Sequence, residues 1–311
     1  MPAHLRFQSQ RWATHHVVSR CIQGFAFLKP TREIRAITKG VLAYSLEQYQ
    51  NSIKLHHYVV LSSHFHILLS AKSSPDLAAF MCYFKGNLAR ELARVHDWHG
   101  TLWQKRYSSE EIIDEVGLAE IFKYITQNSV KEGLVDHPKD WTGLHGYRQL
   151  VMGKKVSGPW VDRTAYYQSI QRREGKLIDE FTSEYQIKLT QPPMWAHLSK
   201  SEYKKLCSKL STEAIRDALI KRKSKAALGM KMVLSENVRK PRFTKRGTRP
   251  LCRTKCIKTL KAYQKLYFEF KAQFQEVSAE LRQAIRIGCD TASICFPIGG
   301  VPLFGGCYSP D

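Results

Sequence analysis

The sequence predicts an α+β protein: a ferredoxin-like antiparallel sheet followed by a basic, mainly helical C-terminal region. Three observations lead there. Over the first 135 residues the apolar periodicity changes in the order strand, helix, strand, strand, helix, strand, which is the split βαβ arrangement. The two middle strands follow one another with almost no connection, as an antiparallel hairpin requires. Beyond residue 165 the chain turns to Lys/Arg-rich stretches of helical spacing.

Residues 1–12 are polar and basic and read as an arm. Residues 14–22, THHVVSRCI, are β-rich and form the first strand. Thr31 can cap a helix whose apolar positions Ile34, Ile37, Val41, Leu42 and Leu46 share one face. Residues 52–63 alternate as a second strand, and residues 64–70 continue as the third. Ser74 or Asp76 then opens a long helix to about Trp98, with Leu77, Phe80, Met81, Phe84, Leu88, Leu92 and Val95 as its stripe. Residues 101–114 are a strand candidate, and residues 117–135 a helix added after the sheet. The sheet is expected to carry its helices on one face.

The 311 residues, 43% of them apolar, suffice for one large domain or two ordinary ones and do not read as disordered. We place a boundary near residue 165, giving units 1–165 and 166–311. The net charge is +22, which points to a polyanionic partner, nucleic acid above all. Residues 1–150 hold 18 Lys+Arg against 13 Asp+Glu, a net of +5, so +17 lies in residues 151–311. The second half is therefore the electrostatic grip. No signal peptide and no membrane-length apolar run is evident, so a cytoplasmic, nucleoid-associated protein with reduced thiols is expected. The last five of eight cysteines, Cys252, Cys256, Cys289, Cys295 and Cys307, form no CxxC pair and do not read as a zinc site.

The chemistry concentrates in SSHFHILLS, residues 62–70. Strand alternation points His64 and His66 to one face and Phe65 to the other. Two such imidazoles form a metal-ligand pair in need of a third partner, although an isolated pair of this kind is more often an ordinary hydrogen-bonding one. Some 60 residues on, Tyr124 and Asn128 stand four apart and share a helical face. A phenol that can attack and an amide that can ligate suit phosphodiester cleavage, which needs a nucleophile and a polarised phosphate. Neutral ligands leave the full ion charge available to the phosphate. Mg²⁺ prefers oxygen donors, so two imidazoles suit Mn²⁺ at least as well.

HHVVSRC (15–21), SSHFHILLS (62–70), GTLWQKRYSS (100–109), YITQNSVKEGLV (124–135) and DHPKDWTGLHGY (136–147) together resemble the single-tyrosine HUH transposases. The likeness is greatest to the REP-associated tyrosine transposases and related insertion-sequence transposases, and it covers roughly residues 10–150. Ser129 stands where that family usually has proline, and Lys131 where arginine is common. The resemblance implies an HUH nuclease core that cuts and rejoins single-stranded DNA through a 5′-phosphotyrosine at Tyr124. It also implies Mg²⁺ or Mn²⁺ held by His64, His66 and Asn128, and a DNA hairpin with a short recognition sequence as partner. Monomer and homodimer both remain open. Two other classes share features of the chain: a replication-initiator or relaxase-type HUH endonuclease, and a host-adopted nucleic-acid binder that no longer cuts.

Candidate backbone contacts are Arg20, Lys105 and Arg106 in the matched motifs, and Arg239, Lys240, Arg242, Lys245 and Arg246 in the basic segment 237–253. That segment could equally be a solvated linker. His56 and His57 receive no role. Residues 199–228 read as two short helices with basic outer faces. Residues 255–287 read as one long helix whose stripe of Tyr263, Leu266, Tyr267, Phe270 and Phe274 packs against the core or a partner helix.

Overall fold

The computed structural model describes residues 7–223, 225–242 and 250–297. The expected order appears: β1 (Ala13–Arg20), α1 (Arg32–Gln48), β2 (Ile53–Val60), β3 (His64–Ala71), α2 (Ser74–His96) and β4 (Ser108–Ile112). β1 pairs antiparallel with β3 and β4, and β2 with β3, so β3 and β1 are the inner strands. Local signals set the helix starts. The Thr31 hydroxyl accepts from Ile34 N–H at 3.2 Å. Ser73, one residue before the expected cap, accepts from Asp76 N–H at 3.2 Å. The fourth strand is five residues long rather than fourteen, because residues 101–107 run as a loop that touches β1's end through a Cys21–Trp103 bridge.

Strand alternation then creates two cores. Phe65, Ile67 and Leu69 of β3 meet α1 and α2. Val59, Leu61, Leu68 and Ile112 face the other way and also need cover. α3 (Glu115–Lys131) supplies it, with Ile121, Phe122 and Ile125. The sheet therefore carries helices on both faces, not on one. α3 also starts two residues earlier than the periodicity suggests, because Asp114 caps it through Gly117 N–H at 2.6 Å. It stops at Lys131, ahead of Gly133, whose φ of +69° belongs to the left-handed region.

The remaining elements are α4 (Tyr147–Leu150), β5 (Ser157–Val161), α5 (Arg163–Gln171), β6 (Thr182–Gln186), α6 (Lys200–Lys221), α7 (Met230–Ser235), β7 (Cys252–Arg253) and α8 (Ile257–Ile287). Four of them differ from expectation. Residues 200–221 form one helix, started by a Ser199/Glu202 capping box, where two were expected. The basic segment ends in β7, which joins β4 in parallel, Glu111 opposite Cys252, and makes the sheet mixed. β5 and β6 form a hairpin that periodicity did not reveal; Trp160 stacks on Tyr44 of α1 at 4.4 Å.

In α8, Tyr263, Tyr267, Phe270 and Phe274 are buried, but Leu266 is 46% exposed and leaves the stripe. The packing partner is the N-terminal arm: Phe7 lies 5.3 Å from Tyr263, 6.0 Å from Tyr267 and 5.3 Å from Phe270. All seven described cysteines are free thiols; Cys307 lies outside the described residues. Among the described residues no helix is long and apolar enough to cross a membrane.

Candidate active site

β3 has partners on both sides, so its first residues are held rigidly. The β2–β3 turn is tied down by Leu61 N–H to His64 O (2.9 Å) and Cys21 N–H to Ser63 O (2.8 Å). From this base His64 and His66 project to the α3 face, 6% and 5% exposed, with ring centroids 5.2 Å apart. Phe65 points oppositely, onto Phe84 and Trp103. Burial, reinforced by the positive charges of Arg20 and Arg242, pushes the His64 pKa down to about 3. His64 is therefore neutral at physiological pH, the form that binds metal.

α3 carries the other two predicted residues and brings Tyr124 to this face. The Tyr124 ring stands edge-on to His66 at 5.2 Å and to His16 at 5.9 Å. Lys131 Nζ lies 4.7 Å from the Tyr124 ring centre. Asn128, one turn after Tyr124, is fully buried, and neither its amide oxygen nor its nitrogen has a hydrogen-bond partner. An unpaired buried amide costs about 1–3 kcal/mol, and a cation would satisfy the oxygen. Among the described residues no group of three His, Cys, Asp or Glu could hold a metal. A cation here would use the two imidazoles plus an amide, and the pair and the orphaned Asn128 oxygen fit that donor set.

The helix is pinned by histidines to which the sequence assigned nothing. Thr126 lies between Tyr124 and Asn128 on α3's buried side. Its hydroxyl donates to Phe122 O at 3.0 Å and accepts from His57 Nε2–H at 2.9 Å. His145 Nε2–H donates to Thr126 O at 3.1 Å, while His145 Nδ1 accepts from Tyr147 N–H. Burial pushes His145 down to about 3 and His57 well below the usual imidazole range, so both serve as neutral hydrogen-bonding rings. Gly146 makes this possible, since a Cβ there would stand 2.5 Å from His57 Nδ1. His56, beside a register shift in β2, donates from Nδ1 to Thr190 O at 2.9 Å and takes the Ser70 hydroxyl at Nε2. His16 was also overlooked: its Nε2 sits 3.0 Å from His66 Nδ1. Its signal was its even spacing from Val18 on a strand flanking the histidine pair.

The basic candidates divide. Arg20 ends β1 opposite His64, and its carbonyl accepts from Gln104 N–H, which puts the exposed Lys105 and Arg106 beside it. Residues 236–242 run along the same rim: Val238 O accepts from Ala26 N–H, and Arg242 N–H donates to Gln23 O. Arg242 pairs with Glu236, and Lys240 is exposed. Arg239 is engaged elsewhere, donating to His96 O and Asp97 O at the end of α2 and lying over Trp98. Lys245 and Arg246 lie outside the described residues.

Residues 13–128 match the family model described as "Transposase IS200 like". A Haemophilus influenzae protein named as a REP-associated tyrosine transposase is 28% identical over 123 residues, 33% of this chain and 70% of that protein. Among solved structures, a REP-associated tyrosine transposase bound to a REP hairpin aligns over 47% of this chain and 84% of its own, at 16% identity and a TM-score of 0.36. A Deinococcus radiodurans protein described as a transposase aligns over 40% and 95%, at 21% identity and a TM-score of 0.29. His64, His66, Tyr124 and Asn128 all lie within the stretch that is similar to the IS200-like transposase family model.

Proposed function

We propose that this protein is a transposase that cuts and rejoins single-stranded DNA, with Tyr124 as the nucleophile. The observation that carries the reading is the 5.2 Å separation of the Tyr124 and His66 ring centres, together with an Asn128 amide one turn along α3 that is buried without a partner. His64, His66 and Asn128 would hold Mg²⁺ or Mn²⁺. When bound, the ion supplies Lewis-acid polarisation of the scissile phosphate.

The protein's own groups do the rest. Tyr124 Oη forms a bond to phosphorus as the P–O3′ bond breaks. The phenolic proton leaves to solvent, and the departing oxygen ends as a free 3′-OH. The Lys131 ammonium puts a positive charge beside the attacking phenol, where negative charge develops. The 5′-phosphotyrosine conserves the bond energy, so a second 3′-OH can reverse the step and join strands without ATP.

The rim of Arg20, Lys105, Arg106, Lys240 and Arg242 would carry the strand's phosphates. Residues 166–311, with most of the net charge, would then be the grip of a nuclease unit spanning 1–165. A DNA hairpin is the partner that the sequence resemblance implies.

Incubation with a library of single-stranded hairpins and Mn²⁺, then sequencing of DNA left attached to protein, tests the reading. Covalent capture is expected from the wild type and should vanish in Tyr124→Phe while binding persists. An adduct formed by the Phe variant, or cleavage undiminished in excess EDTA, would refute it.

A further inference from the structure

We propose that His16 and Glu110 are positioning residues that fix the tautomer of His66, and that Arg253 of the C-terminal region holds the far end of this relay. The proposal rests on the reading of His66 as a metal ligand.

The three strands line the groups up. On β1, His16 lies opposite Glu110 of β4 and opposite Leu68 of β3, while Val18 lies opposite His66. His16 is thus the diagonal neighbour of His66 on the same face. The two rings are stacked, with centroids 5.2 Å apart and planes 15° from parallel, and His16 Nε2 meets His66 Nδ1 at 3.0 Å. Between two neutral rings only one of these nitrogens carries the hydrogen.

Glu110 decides which. Its Oε2 lies 3.8 Å from His16 Nδ1, and both side chains are 9% exposed, so solvent screens their interaction weakly. A carboxylate favours the tautomer whose N–H faces it. His16 then carries hydrogen on Nδ1 and offers the lone pair of Nε2. His66 must donate from Nδ1, which leaves the His66 Nε2 lone pair for a cation. The opposite tautomer would put hydrogen on Nε2 and block that atom.

Arg253 keeps Glu110 aimed, with Nη2 3.3 Å from Oε2 and Nε 3.1 Å from Oε1. It belongs to β7, so the relay crosses four adjacent strands, β7, β4, β1 and β3, and ends in the chain's second half. Metal-binding histidines are commonly fixed in this way through their second ring nitrogen.

Two measurements test it. Long-range ¹H–¹⁵N correlation spectra of the metal-free wild type should show His16 and His66 both protonated on Nδ1, and Glu110→Gln should convert part of each to the other tautomer. Titration with Mn²⁺ alone, followed by calorimetry, should give a dissociation constant about 10- to 100-fold weaker for Glu110→Gln than for wild type. A wild-type His66 protonated on Nε2 would overturn the relay without recourse to any variant. So would Mn²⁺ binding unchanged in a folded Glu110→Gln protein. A wild type that binds no Mn²⁺ would instead overturn the ligand assignment, and the relay with it.

Discussion

Thr126 offers the sharpest test of how the helix that carries Tyr124 is held. Thr126→Val keeps the shape but removes the hydroxyl, and two hydrogen bonds go with it. Phe122 O retains a helical partner, so its loss is small. His57 Nε2–H is different: the ring is fully buried, and its Nδ1 already lacks a partner. Leaving a buried donor unpaired costs about 1–3 kcal/mol. The variant should therefore lose about that much stability in urea denaturation, followed by circular dichroism. His57→Leu alone creates the reverse fault, and the double variant removes both partners, which can be close to neutral. The cycle should show a coupling of about 1–2 kcal/mol, with the double variant better than the sum of the singles. Additivity to within about 0.5 kcal/mol would mean that the His57–Thr126 bond does not hold α3, and the argument for a pinned Tyr124 would fall.

Acid should destabilise the protein in a defined window. His56 and His145 have folded pKa values lowered by burial to about 4 and about 3. Below about 6.5 the unfolded chain takes up protons that the folded one refuses. Their contribution is thus complete above pH 6.5 and declines as pH falls toward 4, by up to about 1.4 kcal/mol per unit per ring. Urea midpoints at pH 7.5, 6, 5 and 4.5 check this, and a flat profile would contradict it. The arginines should separate by salt dependence: Arg20→Gln should flatten the log–log slope of single-strand affinity against salt by about 0.7. Arg239→Gln should leave the slope alone and lower stability, since that guanidinium serves the end of α2; equal slopes for the two variants would contradict the division.

Legibility followed the range of the signal. The shared face of His64 and His66 and the one-turn spacing of Tyr124 and Asn128 could be read because alternation and helical spacing are local rules, and the structure brings His64 to His66 and His66 to Tyr124 within ring contact. Ser73, Asp114 and the Gly133 turn moved element ends by one to four residues, as capping does when several candidates adjoin. β7 was invisible for a different reason. Two residues give no period, and Cys252 and Arg253 become a strand only because β4 offers an open edge. The same limit hid His145 and His57, which meet through Thr126 across 19 and 69 residues of chain.

The supporting residues draw the two halves together in a way that composition does not show. The charge balance suggests a nearly neutral catalytic half and a basic grip. Yet Arg222 of the α6 end donates to Val135 O just beyond α3, Leu228 N–H reaches Gly133 O, and Arg253 reaches Glu110. Each tie ends on an element that carries or flanks Tyr124 or the histidine pair. Phe7 and Ser9 bind α8 and Glu111 to the same sheet edge from the N-terminal side. Tyr124, Asn128 and the histidine pair thus sit on elements braced by the basic region itself. A strand's phosphates drawn to that region would act on segments already bonded to the α3 terminus and to the sheet edge behind His66.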